Sequence, residues 1–206
     1  MTKTDAELDC TVREACQAND FRCAATTALE SCGTDVLSFL IARLRNRNDA
    51  EEAFSMFTED LWKGLPDFGF RCSVRAWLYT LARNAANRQA TQPHNRPARN
   101  VSLQEQQWLS AAADRARSTT HLHKRTDVKE KVRALRDRLS LEDQTLLILH
   151  VDRGMQWREL AMVMHEDGER LQGEALTRET ARVRKRFERV KAELRELALA
   201  EGLLER

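Results

Sequence analysis

Apolar residues recur along this chain at steps of three and four, with no run of alternating β-branched positions, which is the pattern of amphipathic helices. Three stripes stand out in the first half. Leu37, Leu40, Ile41 and Leu44 form one; Ala50, Ala53, Phe54, Phe57 and Leu61 a second; Val74, Trp77, Leu78, Leu81 and Ala85 a third. Each stripe needs a partner to bury it, so together they predict a compact helical bundle over roughly residues 20–90. Asp49, with Glu52 at the reciprocal position, is the expected N-cap of the second helix. Ser73 is that of the third, after the turn GLPDFG.

From Thr91 to about Arg125 the pattern lapses into a polar segment with two prolines, read as an interdomain linker. Ser102 and Glu105 have capping-box spacing and allow a short helix from Leu103 to about Arg117 inside it. Beyond the linker, Val128, Val132, Leu135 and Leu139 predict a helix. Ser140 and Asp143 signal a new cap, and Leu146, Leu147, Leu149 and Val151 continue the apolar surface. A turn at Asp152 to Met155 leads to a short helix carrying Trp157, Leu160, Ala161 and Met164. A glycine-containing loop then precedes a long helix starting near Thr177. This is the order of a helix-turn-helix unit. The expected fold is all-α: an N-terminal extension over 1–27, a helical domain over 28–90, a linker over 91–125 and a second helical domain over 126–206.

The net charge of +2 conceals separated patches of opposite sign. Residues 49–67 carry Asp49, Glu51, Glu52, Glu59, Asp60 and Asp67 against Lys63. Residues 68–101 carry Arg71, Arg75, Arg83, Arg88, Arg96 and Arg99 and no acid. A second basic block holds Arg178, Arg182, Arg184, Lys185, Arg186, Arg189, Lys191 and Arg195 against Glu179, Glu188 and Glu193. Two kinds of partner are implied, with phosphate the natural ligand of the basic patches. A charge run is also, as often, simply a solvated helix face.

Catalysis finds little support, because the sequence has no nucleophile elbow, phosphate loop or metal-spaced cluster. The five cysteines, Cys10, Cys16, Cys23, Cys32 and Cys72, form no CxxC pair, so neither a disulfide framework nor a zinc ribbon is expected. Cys10, Cys16 and Cys23 are spaced to share a face of an N-terminal helix as half-buried thiols. His121 and His123 read as solvated rather than as metal ligands. The opening MTKTDAELDC lacks the features of a secretory signal and no apolar run approaches a bilayer span. A cytoplasmic protein without membrane insertion, metal or cofactor is the expectation.

Two stretches make the reading specific. DAEEAFSMFTEDLWKGL and SVRAWLYTLARN, from Ser73 to Asn84, resemble the DAED…W-L and SFRTWLYRIARN patterns of sigma-70 family RNA polymerase sigma factors of the extracytoplasmic-function type. The later run from Leu146 to Val151, Trp157 to Met164 and VRKRFERVK echoes that family's region four, and the resemblance spans about Ala28 to Leu197. It implies a factor built of regions two and four that binds core RNA polymerase, recognises the −10 and −35 promoter elements and helps melt DNA. It further implies an anti-sigma factor as a partner, although nothing in the sequence identifies one. Two departures stand out. Ser55 and Met56 occupy positions where the family has a glutamine and an acid, and the loop HEDGERLQGEA exceeds the family's tight turn.

By this resemblance, Asp49, Glu51, Glu52, Ser55 and Asp60, flanked by Phe54 and Trp62, would bind the polymerase. Arg71, Ser73, Arg75, Arg83 and Arg88 with Asn84 and Asn87 would hold the −10 element. Trp77 and Tyr79 are either stacking surfaces for bases or, for Trp77 above all, core. A flipped base would sit by the loop from Phe68 to Ser73. Thr177, Arg178, Arg182, Arg184, Lys185, Arg186 and Arg189 would engage the −35 element, mostly through phosphates. On that reading Arg186→Ala weakens promoter binding and Asp49→Ala weakens polymerase binding. The alternatives are a free-standing helix-turn-helix regulator, dimerising through Val183 to Leu197, and a sigma-like adaptor that no longer melts promoters.

Overall fold

A computed structural model describes residues 4–91, 134–166 and 171–203, and every regular element among them is helical. The chain divides into two compact units, Met1–His121 and Leu122–Arg206. The short helix expected over 103–117, the residues Val128 and Val132, and the histidines His121 and His123 lie outside the described residues.

The described residues of unit 1 form a bundle of four α-helices. α1 (Asp5–Gln17) opens on a capping box, in which the Glu7 amide donates to Thr4 Oγ1 at 3.3 Å and the Thr4 amide donates to the Glu7 carboxylate at 2.8 Å. Its stripe Leu8, Val12 and Ala15 is buried against α2. The segment 1–27, set apart in the sequence as an extension, therefore contributes a packed helix and the first turns of α2 to this bundle. The reason is that a short stripe at steps of four and three covers α2 completely enough to leave Val12 with no exposure. Asp20 caps α2 (Phe21–Leu44), accepting from the Cys23 amide at 2.9 Å. Cys23 therefore lies on a different helix from Cys10 and Cys16. Cys10 and Cys23 are exposed, Cys16 is half-buried, and the three do not form one half-buried face.

α2 ends where Arg45 turns left-handed (φ 57°), and Asn46 then caps α3 (Arg47–Gly64). The Asn46 side chain accepts from the amides of Asn48 at 2.9 Å and Asp49 at 3.3 Å. The helix thus starts two residues before Asp49, the expected cap. The extended backbone of Asn46 lets one side-chain oxygen satisfy two end amides, and Asp49 lies in the first turn, where a negative charge suits the helix dipole. A short 3₁₀ turn, Leu65–Asp67, follows α3 and precedes the loop to α4 (Val74–Thr91). Ser73 caps α4 as expected, accepting from the Ala76 amide at 3.1 Å. Asp9 of α1 takes a second end amide, that of Val74, at 2.7 Å. We expect Asp9→Ala to cost unit 1 about 1 kcal/mol, the usual worth of a helix cap, read as a shift in the denaturant midpoint.

In unit 2, Ser140 caps α5 (Leu141–Leu147), which runs directly into a π-helical segment, Ile148–Asp152. Gly154 (φ 66°) turns the chain, and α6 (Trp157–Met164) and α7 (Gly173–Ala200) follow. α7 begins four residues before the expected Thr177, so the end of the sequence HEDGERLQGEA is helix rather than loop. The buried residues Leu146, Leu149, Leu160, Ala161, Leu176, Val183 and Val190 form the core where α5, α6 and α7 pack. Leu135 and Leu139 are buried as well.

Candidate nucleic-acid and partner-binding surfaces

The acidic helix α3 faces outward with Glu52 and Ser55 exposed, while Met56 and Phe54 turn inward. Phe54 is fully buried and packs on Phe57 at 5.5 Å, so it is core rather than a flank of the acidic surface. Trp62 stays half-exposed. The remaining acids of α3 are held by side chains of their own chain. Glu51 pairs with Arg47 at 2.9 Å, Glu59 with Lys63 at 3.4 Å and Asp60 with Arg88 of α4, while Asp49 accepts from Gln89 Nε2 at 3.3 Å. The exposed pairs of Glu51 and Glu59 contribute about 1 kcal/mol or less each, so a basic partner can displace them at small cost.

The residues expected to meet the −10 element separate into three groups. Arg71 is exposed. Ser73, Arg75, Asn84, Asn87 and Arg88 are half-exposed, with Arg75 directed to Asp5 of α1 at 3.4 Å and Asn87 accepting from Arg43. Trp77, Tyr79 and Arg83 are buried. Tyr79 stands edge-on to Phe39 at 5.5 Å, and Trp77 lies flat against Phe68 with centroids 4.2 Å apart and planes 12° from parallel. Neither ring is open to a nucleic-acid base in this conformation, because Tyr79 is covered by Phe39 of α2 and Trp77 by Phe68 and the end of α3. The more open aromatic is Phe70, half-buried with φ 52°, beside Phe68 at 4.5 Å and under the Arg13 guanidinium at 4.8 Å. Sequence reasoning named the loop from Phe68 to Ser73 without singling out Phe70 in it, and passed over Arg13. The FGF triplet, two aromatics around a glycine, was the available signal.

α7 carries the clearest basic surface. Arg178, Arg182, Lys185 and Arg189 are all exposed and recur at steps of four, three and four, which sets them in one stripe roughly 16 Å long. Thr177 and Arg184 are exposed on the adjoining side, where Arg184 lies over the Trp157 ring at 5.7 Å. Trp157 in turn packs against His150 at 3.8 Å and Phe187 at 5.3 Å, which ties α6 to α7. Arg186 differs from its neighbours. It is half-buried and donates from Nε to Asp143 Oδ1 at 2.7 Å, while Ser140 Oγ donates to the other carboxylate oxygen at 2.6 Å. Burial alone would raise the Asp143 carboxyl, but the Ser140 and Arg186 hydrogen bonds outweigh it and hold the group below the ordinary aspartate value. A depressed carboxyl stabilises the fold above its unfolded value and loses that contribution as pH falls through the folded one. Unit 2 is therefore expected to lose stability below about pH 4, and Asp143→Asn to flatten that part of a stability profile measured by urea unfolding.

No protein-family model, curated protein or solved structure matches the chain. Among the described residues, no helix is long and apolar enough to cross a membrane, and no group of three or more His, Cys, Asp or Glu side chains is placed to hold a metal ion.

Proposed function

We propose that the chain is a promoter-specificity factor of the sigma type, which docks on core RNA polymerase through unit 1 and reads promoter DNA with both units. The observation that carries this reading is the stripe Arg178, Arg182, Lys185 and Arg189 on α7, directly after the α6 turn of a helix-turn-helix order. Four exposed cations along one helix face offer a run of positive charge that phosphates would neutralise, and a major groove admits an α-helix. The acidic face of α3 supplies a complementary surface for a basic helical partner, with Glu52 at its exposed centre and Asp49, Glu51 and Asp60 around it. The motifs of α3 and α4 favour this reading over a free-standing regulator, which needs no acidic docking helix. A cytoplasmic location goes with it.

The docking half is tested by co-elution of the full chain with sigma-free core RNA polymerase in gel filtration. We expect a stable complex, weakened at least tenfold by Glu52→Arg. No complex with the wild-type chain would favour the free-standing regulator. A complex that supports no transcription would favour the adaptor.

A further inference from the structure

Six of the seven residues assigned to the basic surface of α7 are exposed, and one is not. Arg186 points back into unit 2, onto a carboxylate that is itself held by the Ser140 hydroxyl at the start of α5. We infer that Arg186 is a positioning residue rather than a phosphate ligand: Asp143, oriented by Ser140, latches Arg186 and thereby fixes the rotation of α7 about its own axis. This deepens the nucleic-acid reading of α7 and rests on it.

The physical case has three parts. First, Ser140 and Asp143 form a local unit, since the Asp143 amide donates to Ser140 Oγ at 3.2 Å while that hydroxyl donates back to the carboxylate. The acceptor is therefore rigid before Arg186 arrives, so less entropy is lost on pairing than in an ordinary surface ion pair. Second, the latch joins residues 43 apart in sequence and ties α5 directly to α7. Third, Arg186 lies one position beyond Lys185 and three before Arg189. At 100° per residue, anchoring it determines where the stripe Arg178, Arg182, Lys185 and Arg189 faces. A guanidinium that already holds a carboxylate also has less reason to recruit phosphate, because doing so would leave the buried Asp143 carboxylate without its cationic partner.

The test uses the full-length chain and a labelled random-sequence DNA duplex, with affinity measured by fluorescence anisotropy across potassium chloride concentrations. Arg189→Ala should reduce the slope of log affinity against log salt by about 0.9, the loss of one phosphate contact, whereas Arg186→Ala should leave the slope unchanged. Fluorine NMR of 5-fluorotryptophan protein reads the pose of α7 through Trp157, which packs on Phe187 beside the latch. Its resonance is assigned by its loss in Trp157→Phe. Arg186→Ala and Asp143→Asn should move the Trp157 resonance in the same direction and leave Trp77 in place, the double variant should move it no further, and Asp143→Glu should restore it. A fall in salt slope for Arg186→Ala equal to that of Arg189→Ala, or a Trp157 resonance indifferent to Asp143→Asn, overturns the latch. If the wild-type chain shows no salt-dependent duplex binding, the nucleic-acid reading fails instead. The Trp157 shifts then still decide whether Asp143 and Arg186 act as one unit: shared, non-additive shifts uphold the pairing and independent ones overturn it.

Discussion

Replacing Trp77 by alanine is expected to destabilise unit 1 by about 3–5 kcal/mol, the largest loss for any single substitution considered, measured by urea unfolding monitored by circular dichroism. Trp77 is 3 % exposed and is gripped from two sides. Phe68 stacks flat on it, and the last residue of α3, Gly64, approaches so closely that an added Cβ would lie 2.9 Å from the indole ring. The indole therefore joins α4, the end of α3 and the loop that leads into Ser73. Removing it leaves a cavity under Phe68 and releases that loop. The same geometry makes a second, non-additive result: Gly64→Ala should be costly in the wild-type chain, where the ring cannot yield freely. It should be neutral or mildly stabilising beside Trp77→Ala, where the space is open and alanine fits the right-handed backbone of Gly64 while leaving the unfolded chain less entropy to lose.

The second large effect concerns binding rather than stability. Converting Arg178, Arg182, Lys185 and Arg189 together to alanine should lower the salt slope of duplex DNA binding by about 3.6, at about 0.9 per contact. Affinity at moderate salt should fall by two orders of magnitude or so, since each released contact forfeits its counterion entropy. All four side chains are exposed and belong to a helix whose packed positions are Leu176, Thr180, Val183 and Val190, so unfolding should change by no more than about 0.5 kcal/mol per substitution. Retained affinity with an unchanged slope would mean that this stripe is merely a solvated helix face.

Much of the fold was legible because helices advertise their buried faces. The stripes at Ala50, Ala53, Phe54, Phe57 and Leu61 and at Val74, Trp77, Leu78 and Ala85 are buried where periodicity put them, as are Leu37 and Leu40, whereas Ile41, Leu44 and Leu81 are only half-buried. The caps Ser73 and Ser140 were legible for the same reason, a short polar side chain directly before an apolar run. Asn46 was not, because Asp49 and Glu52 offered a better-known capping pattern just downstream, and local pattern alone does not say which of two polar residues has extended backbone. The reach of α1 onto α4 through Asp9 and Val74 is a contact between residues 65 apart, and nothing local announces it.

The candidate surfaces were legible in charge and much less so in exposure. The sequence places Arg178, Arg182, Lys185 and Arg189 on one stripe, and all four are exposed. It equally offers Trp77, Tyr79 and Arg83, which the bundle encloses, and Arg186, which an aspartate in another helix claims. Residue type and spacing identify what a side chain is able to do, whereas its availability depends on partners supplied by distant parts of the chain. That is also why the pairing of Phe70 with Arg13, brought together from the loop before α4 and from α1, escaped sequence reasoning.

The most direct measurement is run-off transcription by sigma-free core RNA polymerase on fragmented genomic DNA of the source organism, with and without the purified full-length chain. The account predicts transcripts from discrete start sites that share two upstream sequence elements, lost when the four stripe residues of α7 are converted to alanine. Transcription indistinguishable from that of core polymerase alone, with the chain folded and present in excess, would contradict it.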